Sequence, residues 1–159
     1  MEEIAIRETK KADAGTLKPG ETLSEKDVER DAKLHIEAVE SCGKFLCGKI
    51  EEQFKRHDRT KLGEYLPAFA KALSTGFKGG EFNGLDWWED IHLTERHHLN
   101  DRVPEDVNLI DVLEMICDCV CAGMARTGTV YDVSISNETL KKAFENTAKL
   151  IESKIKVVK

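Results

Sequence analysis

The residues that can do chemistry in this sequence are concentrated around one short segment, residues 56–61. In it, His57 is followed directly by Asp58, and Lys61 comes three residues later. An imidazole and a carboxylate can bind a divalent cation together, and a nearby ammonium group can bind a phosphate beside that cation. The segment therefore predicts a metal site with a phosphate-binding group, in which Asp58 and Lys61 are the candidate catalytic residues.

The five histidines of the chain are grouped rather than scattered. Besides His57, an adjacent pair occurs at His97 and His98, and His92 lies five residues before that pair. Five randomly placed histidines would rarely include both a His-Asp pair and a His-His pair. The grouping favours metal binding over ordinary polar roles. The candidate metal ligands are His35, His57, Asp58, His92, His97, His98 and Asp118.

A later helical stretch supplies carboxylates for the same site. Asp111, Glu114 and Asp118 are spaced so that all three project from one face of a helix. Such an acidic stripe is usually a solvated surface, but with the histidines present one of these carboxylates becomes a natural late ligand. Imidazoles and carboxylates together suit Mn, Fe, Co, Ni or Zn, with one or two ions per chain, whereas an all-oxygen site would favour Mg.

The first histidine raises a geometric question. His35 precedes His57 by 22 residues, which is ~33 Å along an unbroken helix. Either the chain turns back near Gly43 or Gly48, or His35 serves elsewhere.

Helical periodicity predicts an all-α fold class, with one domain over residues 23–159 and a short irregular N-terminal arm over residues 1–22. This arm is expected to be loosely packed or to form a short edge strand. About five helices are expected, and residues 129–135 are expected to be extended. The second helix should close in a loop with Gly76, Gly79 and Gly80, and the last should be capped by Ser136 or Asn137. The predicted helices cover about residues 28–54, 62–73, 86–92, 107–125 and 137–155.

The composition of the chain argues against some classes of binding partner. The net charge of -6 argues against a nucleic-acid duplex, and no apolar run approaches the ~20 residues that span a bilayer. The N-terminus does not resemble a signal peptide, so we expect a cytoplasmic protein without a membrane partner. A homo-oligomer is compatible with the sequence. The alternating Cys117, Cys119 and Cys121 do not have zinc-knuckle spacing, and we interpret them as small buried hydrophobes.

The order of these residues resembles the HD superfamily of metal-dependent phosphohydrolases, whose defining ligands are a His, a His-Asp pair and a later Asp. Here they match His35, His57-Asp58 and Asp118. The additional histidines and Lys61 resemble two-metal members of the HD-GYP type, although the Gly-Tyr-Pro element is missing. The resemblance implies that residues 23–159 form an HD-like helical domain.

A closer resemblance covers about residues 31–151. It is to a small protein family that is found in bacteria and their viruses and is defined by a domain without an assigned function. This chain has a single histidine at His92 where that family tends to have two, and Cys119 where a tryptophan is expected. The matching segments are residues 57–61 (HDRTK), 92–100 (HLTERHHLN) and 108–118 (NLIDVLEMICD).

The resemblance implies hydrolysis of a nucleotide or a related small-molecule phosphate ester by a metal-activated water, as a phosphomonoesterase or a phosphodiesterase. Asp58 would bridge two cations or orient one, and Lys61 and Asn100 would contact the substrate. Trp87 and Trp88 can stack a nucleobase or pack in the core. Two alternatives remain open. One is an all-α, Mg-dependent nucleotide pyrophosphatase built on the acidic helix face, and the other is a non-catalytic module that binds metal or nucleotide.

Overall fold

The structure is a computed structural model that describes residues 3–9, 18–76 and 87–158. The predicted all-α class is confirmed, because four α-helices make up most of the described chain and the only sheet within it is one pair of short strands. The helices are α1 (Glu25–Phe54), α2 (Leu66–Gly76), α3 (Leu109–Thr127) and α4 (Asn137–Glu152), and the strands are β1 (Ile4–Arg7) and β2 (Ile155–Val158).

The contacts within the chain group its residues into two compact units. The first unit comprises Met1–Ile50 together with Ala148–Lys159, and the second comprises Glu51–Thr147. All the predicted site residues except His35 belong to the second unit.

In the first unit, residues 4–7 of the N-terminal arm form a short strand, which is one of the two alternatives expected for this segment. β1 pairs in parallel with β2, in a register that runs from Ile4 opposite Ile155 to Arg7 opposite Val158. The last helix therefore ends at Glu152 and does not continue to Ile155 as predicted. The segment that follows it is rich in β-branched residues, which favour a pleated strand over a helix.

The long helix α1 is continuous through both of its glycines. A glycine inside a helix costs about 1 kcal/mol relative to alanine, which is too little to break a helix of 30 residues. The chain therefore does not turn back at Gly43 or Gly48. His35 is exposed on α1, 19 residues before Phe54 and so ~28 Å along the axis from the end of the helix.

The second unit has a small apolar core between α3 and α4. Leu99, Val107, Met115 and Ala143 are buried there, and Leu109, Val112, Cys119 and Ile135 pack around them. The predicted burial of the cysteines is wrong for Cys117 and Cys121, which are exposed on α3.

Both ends of α3 are fixed by local interactions. At the start, Asn108 Oδ1 accepts from the amide of Ile110 at 2.9 Å, and Asp111 Oδ2 accepts from the amide of Asn108 at 2.8 Å. This reciprocal capping satisfies amides that the helix itself leaves unpaired. At the other end, Gly128 adopts a left-handed φ of 74° that favours glycine. The residues after it, 130–136, form neither helix nor strand.

The predicted third helix is replaced by two short turns. Trp87–Ile91 forms a single π-helical turn and His92–Thr94 a 3-10 turn, while Asp86 lies outside the described residues, as do Gly79 and Gly80. A segment this short cannot form a stable helix by propensity alone, and Trp87 is instead anchored by a hydrogen bond from its Nε1 to the carbonyl of Thr60 at 3.1 Å. None of the described helices is long and apolar enough to cross a membrane.

Candidate metal centre

The centre begins at the turn that follows α1. Asp58 has a φ of 55°, a left-handed conformation that is uncommon for any residue other than glycine. Glu95 stabilises this turn, because its Oε2 accepts from the amide of Asp58 at 2.7 Å and its Oε1 accepts from the amide of Thr60 at 3.0 Å. Glu95 therefore fixes the backbone from which the Asp58 carboxylate projects.

The imidazole of His57 is oriented by a buried carboxylate on α3. Its Nδ1 donates to Glu114 Oε1 at 3.0 Å, and Gln53 Nε2 donates to the other oxygen of Glu114 at 2.7 Å. A carboxylate on one ring nitrogen fixes the orientation of a metal-binding histidine and leaves the other nitrogen for the ion. That nitrogen, Nε2, lies 3.5 Å from Asp58 Oδ2 and 3.5 Å from Asp118 Oδ1.

These carboxylates make the surroundings of His57 strongly negative. Asp118 and Glu114, together with the charge of Asp58, raise the pKa of His57 to about 10 despite its partial burial. Burial alone would raise the pKa of Glu114, but its interactions with His57, His97 and Gln53 outweigh that effect and lower the pKa to about 2. His57 also lowers the pKa of Asp118. In the absence of a metal, a proton on His57 therefore balances part of the negative charge.

His92 is fully buried and its tautomer is determined by its neighbours. Its Nδ1 lies 2.8 Å from Thr60 Oγ1, and the Thr60 hydroxyl donates its own proton to Glu95. The Nδ1–H of His92 must therefore be the donor to Thr60, which leaves a lone pair on Nε2. Burial and the nearby His98 lower the pKa of His92 to about 3, and Trp87 stacks on the ring at a centroid distance of 5.1 Å.

Two further histidines complete the cluster. His98 Nε2 lies 3.0 Å from His92 Nε2. His97 is buried, and its Nδ1 lies 3.4 Å from Glu114 Oε1 without the geometry of a hydrogen bond. Neither of its ring nitrogens has a hydrogen-bond partner among the described residues, and the same holds for Asp58 Oδ1. Buried polar atoms without partners are rare in native proteins, so these atoms are candidates for ligands of an ion.

These atoms form two groups of possible ligands that share one carboxylate. The first contains His57, Asp58 and His97, and the second contains Asp58, His92 and His98. In each group, one ligand atom per residue lies within 4.8 Å of the others. Asp58 is therefore the one residue that belongs to both groups.

The distances between the possible ligand atoms suit a bound cation, and so does the chemistry of those atoms. Two ligand atoms about 2.1 Å from one ion, at a tetrahedral angle, lie ~3.4 Å apart. From Asp58 Oδ1, the distance is 3.7 Å to His97 Nε2 and 3.8 Å to His92 Nε2. Imidazole nitrogens with a carboxylate are ligands that suit transition metals, so the residues present fit a divalent cation of this kind.

Lys61 forms an ion pair with Asp58, the carboxylate that both ligand groups share. Its Nζ lies 2.5 Å from Asp58 Oδ2, and its side chain is 21% exposed. The ammonium group thus lies beside the carboxylate that both ligand groups share.

Arg96 connects the histidine segment to α3. Its guanidinium donates to both oxygens of Asp111 at 2.7 and 2.8 Å and to Asp106 at 2.9 Å. Asp111 is fully buried. A paired fork of this type restricts orientation as well as position, and Arg96 immediately precedes His97.

The structure brings most of the predicted site residues together. His57, Asp58, His92, His97 and His98 form the two ligand groups, and Asp118 and Lys61 border them. His35 belongs to neither group. Asn100 is exposed, and the described hydrogen bonds do not connect it to either group.

The two tryptophans have different environments. Trp87 is buried and packs on Phe69 and His92. Trp88 is half-buried, with its ring 4.7 Å from that of His92 and 5.9 Å from that of His98. Both tryptophans therefore contact His92, and Trp88 also lies beside His98.

Sequence reasoning missed the residues that orient the ligands. Gln53, Thr60, Glu95 and Arg96 lie close to ligands along the chain, but turns and loops carry no periodicity from which their partners can be inferred. Glu114 was visible only as a member of the acidic face of α3.

Searches of protein-family models, curated proteins and solved structures gave no significant match to this chain.

Proposed function

We propose that this protein is a metal-dependent phosphohydrolase that acts on a nucleotide or a related small-molecule phosphate ester. The observation that supports the proposal best is the sharing of Asp58 between two groups of possible ligands, with Lys61 on the same carboxylate. A carboxylate between two cation positions, with an ammonium group beside it, suits the negative charge of a phosphate ester.

The roles of the residues follow from their contacts. When bound, a divalent cation supplies positive charge that acidifies a water molecule and neutralises phosphate oxygens. His57 and His97 would hold it on one side of Asp58, and His92 and His98 would hold a second one on the other side. Lys61 would leave Asp58 and donate to a phosphate oxygen.

The carboxylates on the acidic face of α3 are poorly suited to the alternative function, a Mg-dependent nucleotide pyrophosphatase. Asp111 is fully buried and already accepts from Arg96 and Gln53. Glu114 is buried between Gln53 and His57. Neither carboxylate offers the open, oxygen-only surroundings that Mg²⁺ prefers.

Metal content and turnover together test the proposal. The purified protein should keep at least one Mn, Fe, Co, Ni or Zn ion per chain after exhaustive dialysis, as measured by elemental analysis. With Mn or Co added, a panel of nucleotides and cyclic dinucleotides should include a substrate whose phosphate ester bond is hydrolysed. The readout is free phosphate for a monoester and the linear product for a cyclic dinucleotide.

The outcomes separate the candidate functions. Turnover with Mg²⁺ but without retained transition metal would support the pyrophosphatase instead. A protein that holds metal but hydrolyses nothing in the panel would be a binding module. A protein that cannot be loaded with any of these ions would contradict the proposal at its base.

A further inference from the structure

Helix α1 exposes a line of apolar and small residues. Val28 is 51% exposed, Ile36 55% and Val39 57%. Ala32, Gly43 and Cys47 are also exposed. At 100° per residue, all six positions fall within an arc of about 100° on the helix. We call this surface the α1 stripe: Val28, Ala32, Ile36, Val39, Gly43 and Cys47.

The α1 stripe lies beside the buried side of the helix, which includes Asp31 and Phe45. The apolar surface of α1 is therefore wider than the part that the described residues of this unit cover. A single exposed apolar side chain needs no explanation, but a continuous line of them over about five turns marks an interaction surface.

The order of the residues in the stripe is symmetric. Successive positions are separated by four, four, three, four and four residues, so the spacing is the same from either end. If two copies of α1 align antiparallel about the midpoint of the stripe, Ile36 of each copy faces Val39 of the other. At the next level, Ala32 faces Gly43, and at the outermost level Val28 faces Cys47.

The sizes of the facing residues suit this alignment. The bulkiest pair, Ile36 with Val39, lies at the centre. Ala32 with Gly43 is small on both sides, and a Cβ built on Gly43 meets nothing within 4 Å, so the two backbones can approach closely there. A parallel alignment would instead place Ile36 on Ile36 and Gly43 on Gly43, which leaves crowding at one level and a gap two levels further along.

The charges along one edge of the stripe are complementary in the same alignment. Four charged residues, Glu29, Lys33, Glu40 and Lys44, follow that edge, and all four are exposed. Antiparallel copies bring Glu29 within about two residues of the partner copy's Lys44, and Lys33 equally close to its Glu40. By symmetry each pair forms twice, so opposite charges meet at four places.

We propose that the α1 stripe is a homodimer interface, in which α1 of a second copy of this chain packs antiparallel along the same residues. The contact is isologous, which is the commonest way in which identical chains associate. Every residue of the stripe belongs to the first unit, whereas the residues of the two possible ligand groups belong to the second.

Light scattering after size exclusion tests the association. The full chain should elute at about twice 17.9 kDa. Ile36→Glu places two like-charged carboxylates in the centre of the interface and should reduce the mass to one chain, with an unchanged helical circular dichroism signal. Leu140→Glu, which alters a residue on α4 with an exposed fraction of 45%, is the matched control and should remain dimeric.

Cross-linking tests the alignment. In a Val28→Cys variant, mild oxidation should join the introduced thiol to Cys47 of the second copy, as identified by mass spectrometry of the linked peptides. Cys47→Ser in the same background should abolish that link. A wild-type chain that is monomeric at every concentration, or Ile36→Glu that stays dimeric, would overturn the proposal. So would Cys47–Cys47 links, which indicate a parallel pair.

Discussion

Glu95 accepts a hydrogen bond from the backbone amide of Asp58 at 2.7 Å, although 37 residues separate them along the chain. The bond holds Asp58 in a conformation that costs on the order of 1–2 kcal/mol in an L-amino acid. Backbone strain of this kind persists only where the surrounding structure enforces it. In the proposed function the benefit is the position of one carboxylate between two groups of histidines.

We therefore expect Glu95→Gln to weaken cation binding. A glutamine has one acceptor oxygen, and its NH₂ group would face a backbone amide that also needs an acceptor. Residues that orient a metal ligand typically contribute about 10–100-fold in affinity, which a competition titration against a chromogenic chelator measures. Glu89→Gln, at an exposed residue of the π-helical turn, is the control and should bind normally. Equal affinity in both variants would show that Glu95 does not position Asp58.

The contact between Lys61 and Asp58 predicts opposite effects on binding and on rate. Lys61→Met removes an ammonium group that competes with the cation for Asp58 Oδ2, so cation affinity should rise several-fold. The same change removes charge stabilisation of the transition state, and turnover on the best substrate should fall about 100-fold. Asp58→Ala should lose both metal and turnover, because it removes the shared ligand.

Metal stoichiometry and turnover, measured on each preparation, distinguish these roles. Full turnover in Lys61→Met would assign this lysine to charge balance alone. Full turnover in Asp58→Ala would contradict the assignment of the shared carboxylate as a ligand.

Removal of the cation should lower the melting temperature. An ion that binds only the native state at 100 times its Kd stabilises it by ~2.7 kcal/mol, or about 5–10 °C for a chain of this size. Scanning calorimetry with and without excess chelator measures the difference. His97→Ala removes a buried ligand and should reduce the shift, whereas His35→Ala should leave it unchanged. A reduced shift in His35→Ala would instead restore His35 as a ligand.

Two glycines in helices should respond in opposite directions to alanine. A Cβ at Gly123 would lie 2.5 Å from the carbonyl oxygen of Thr129 and 2.6 Å from the amide nitrogen of Tyr131, both of which are backbone atoms. Gly123→Ala should therefore destabilise the protein by about 1–3 kcal/mol. At Gly48 a Cβ meets nothing within 4 Å, so Gly48→Ala should stabilise it by up to ~1 kcal/mol. Urea denaturation of the two variants gives both values, and a stable Gly123→Ala would show that residues 129–131 can move away from α3.

The parts of the fold that could be predicted from the sequence are its long helices. The amphipathic patterns of α1, α3 and α4 extend over many turns, and the helix class follows from them. The turns at Trp87–Ile91 and His92–Thr94 could not be predicted, because their geometry depends on Thr60, which is distant along the chain. The pairing of β1 with β2 was missed for the same reason, since the partners are separated by almost the whole sequence.

For the candidate site, residue types predicted which side chains meet but not how they are held. His57-Asp58 and His97-His98 are recognisable by adjacency, and Asp118 by its helical spacing. His35 shows that the order of residues along the chain is not enough to identify a ligand. Its place in that order resembles a family pattern, but it lies outside both ligand groups. What orients the ligands comes from Glu95, Glu114 and Thr60, through contacts that no spacing rule describes.

The ion pair between Lys61 and Asp58 affects whether the cation has to bind before the chain can fold. Many small metal-binding domains are unfolded until the ion binds, because their ligands repel one another without it. Here a lysine from the same turn supplies a positive charge at the shared carboxylate from the moment that the turn forms. Folding on the ribosome and loading with metal would then be separate events. A newly made chain could persist as an intact, inactive protein until the cellular supply of the ion rises, and nothing would have to be refolded to activate it.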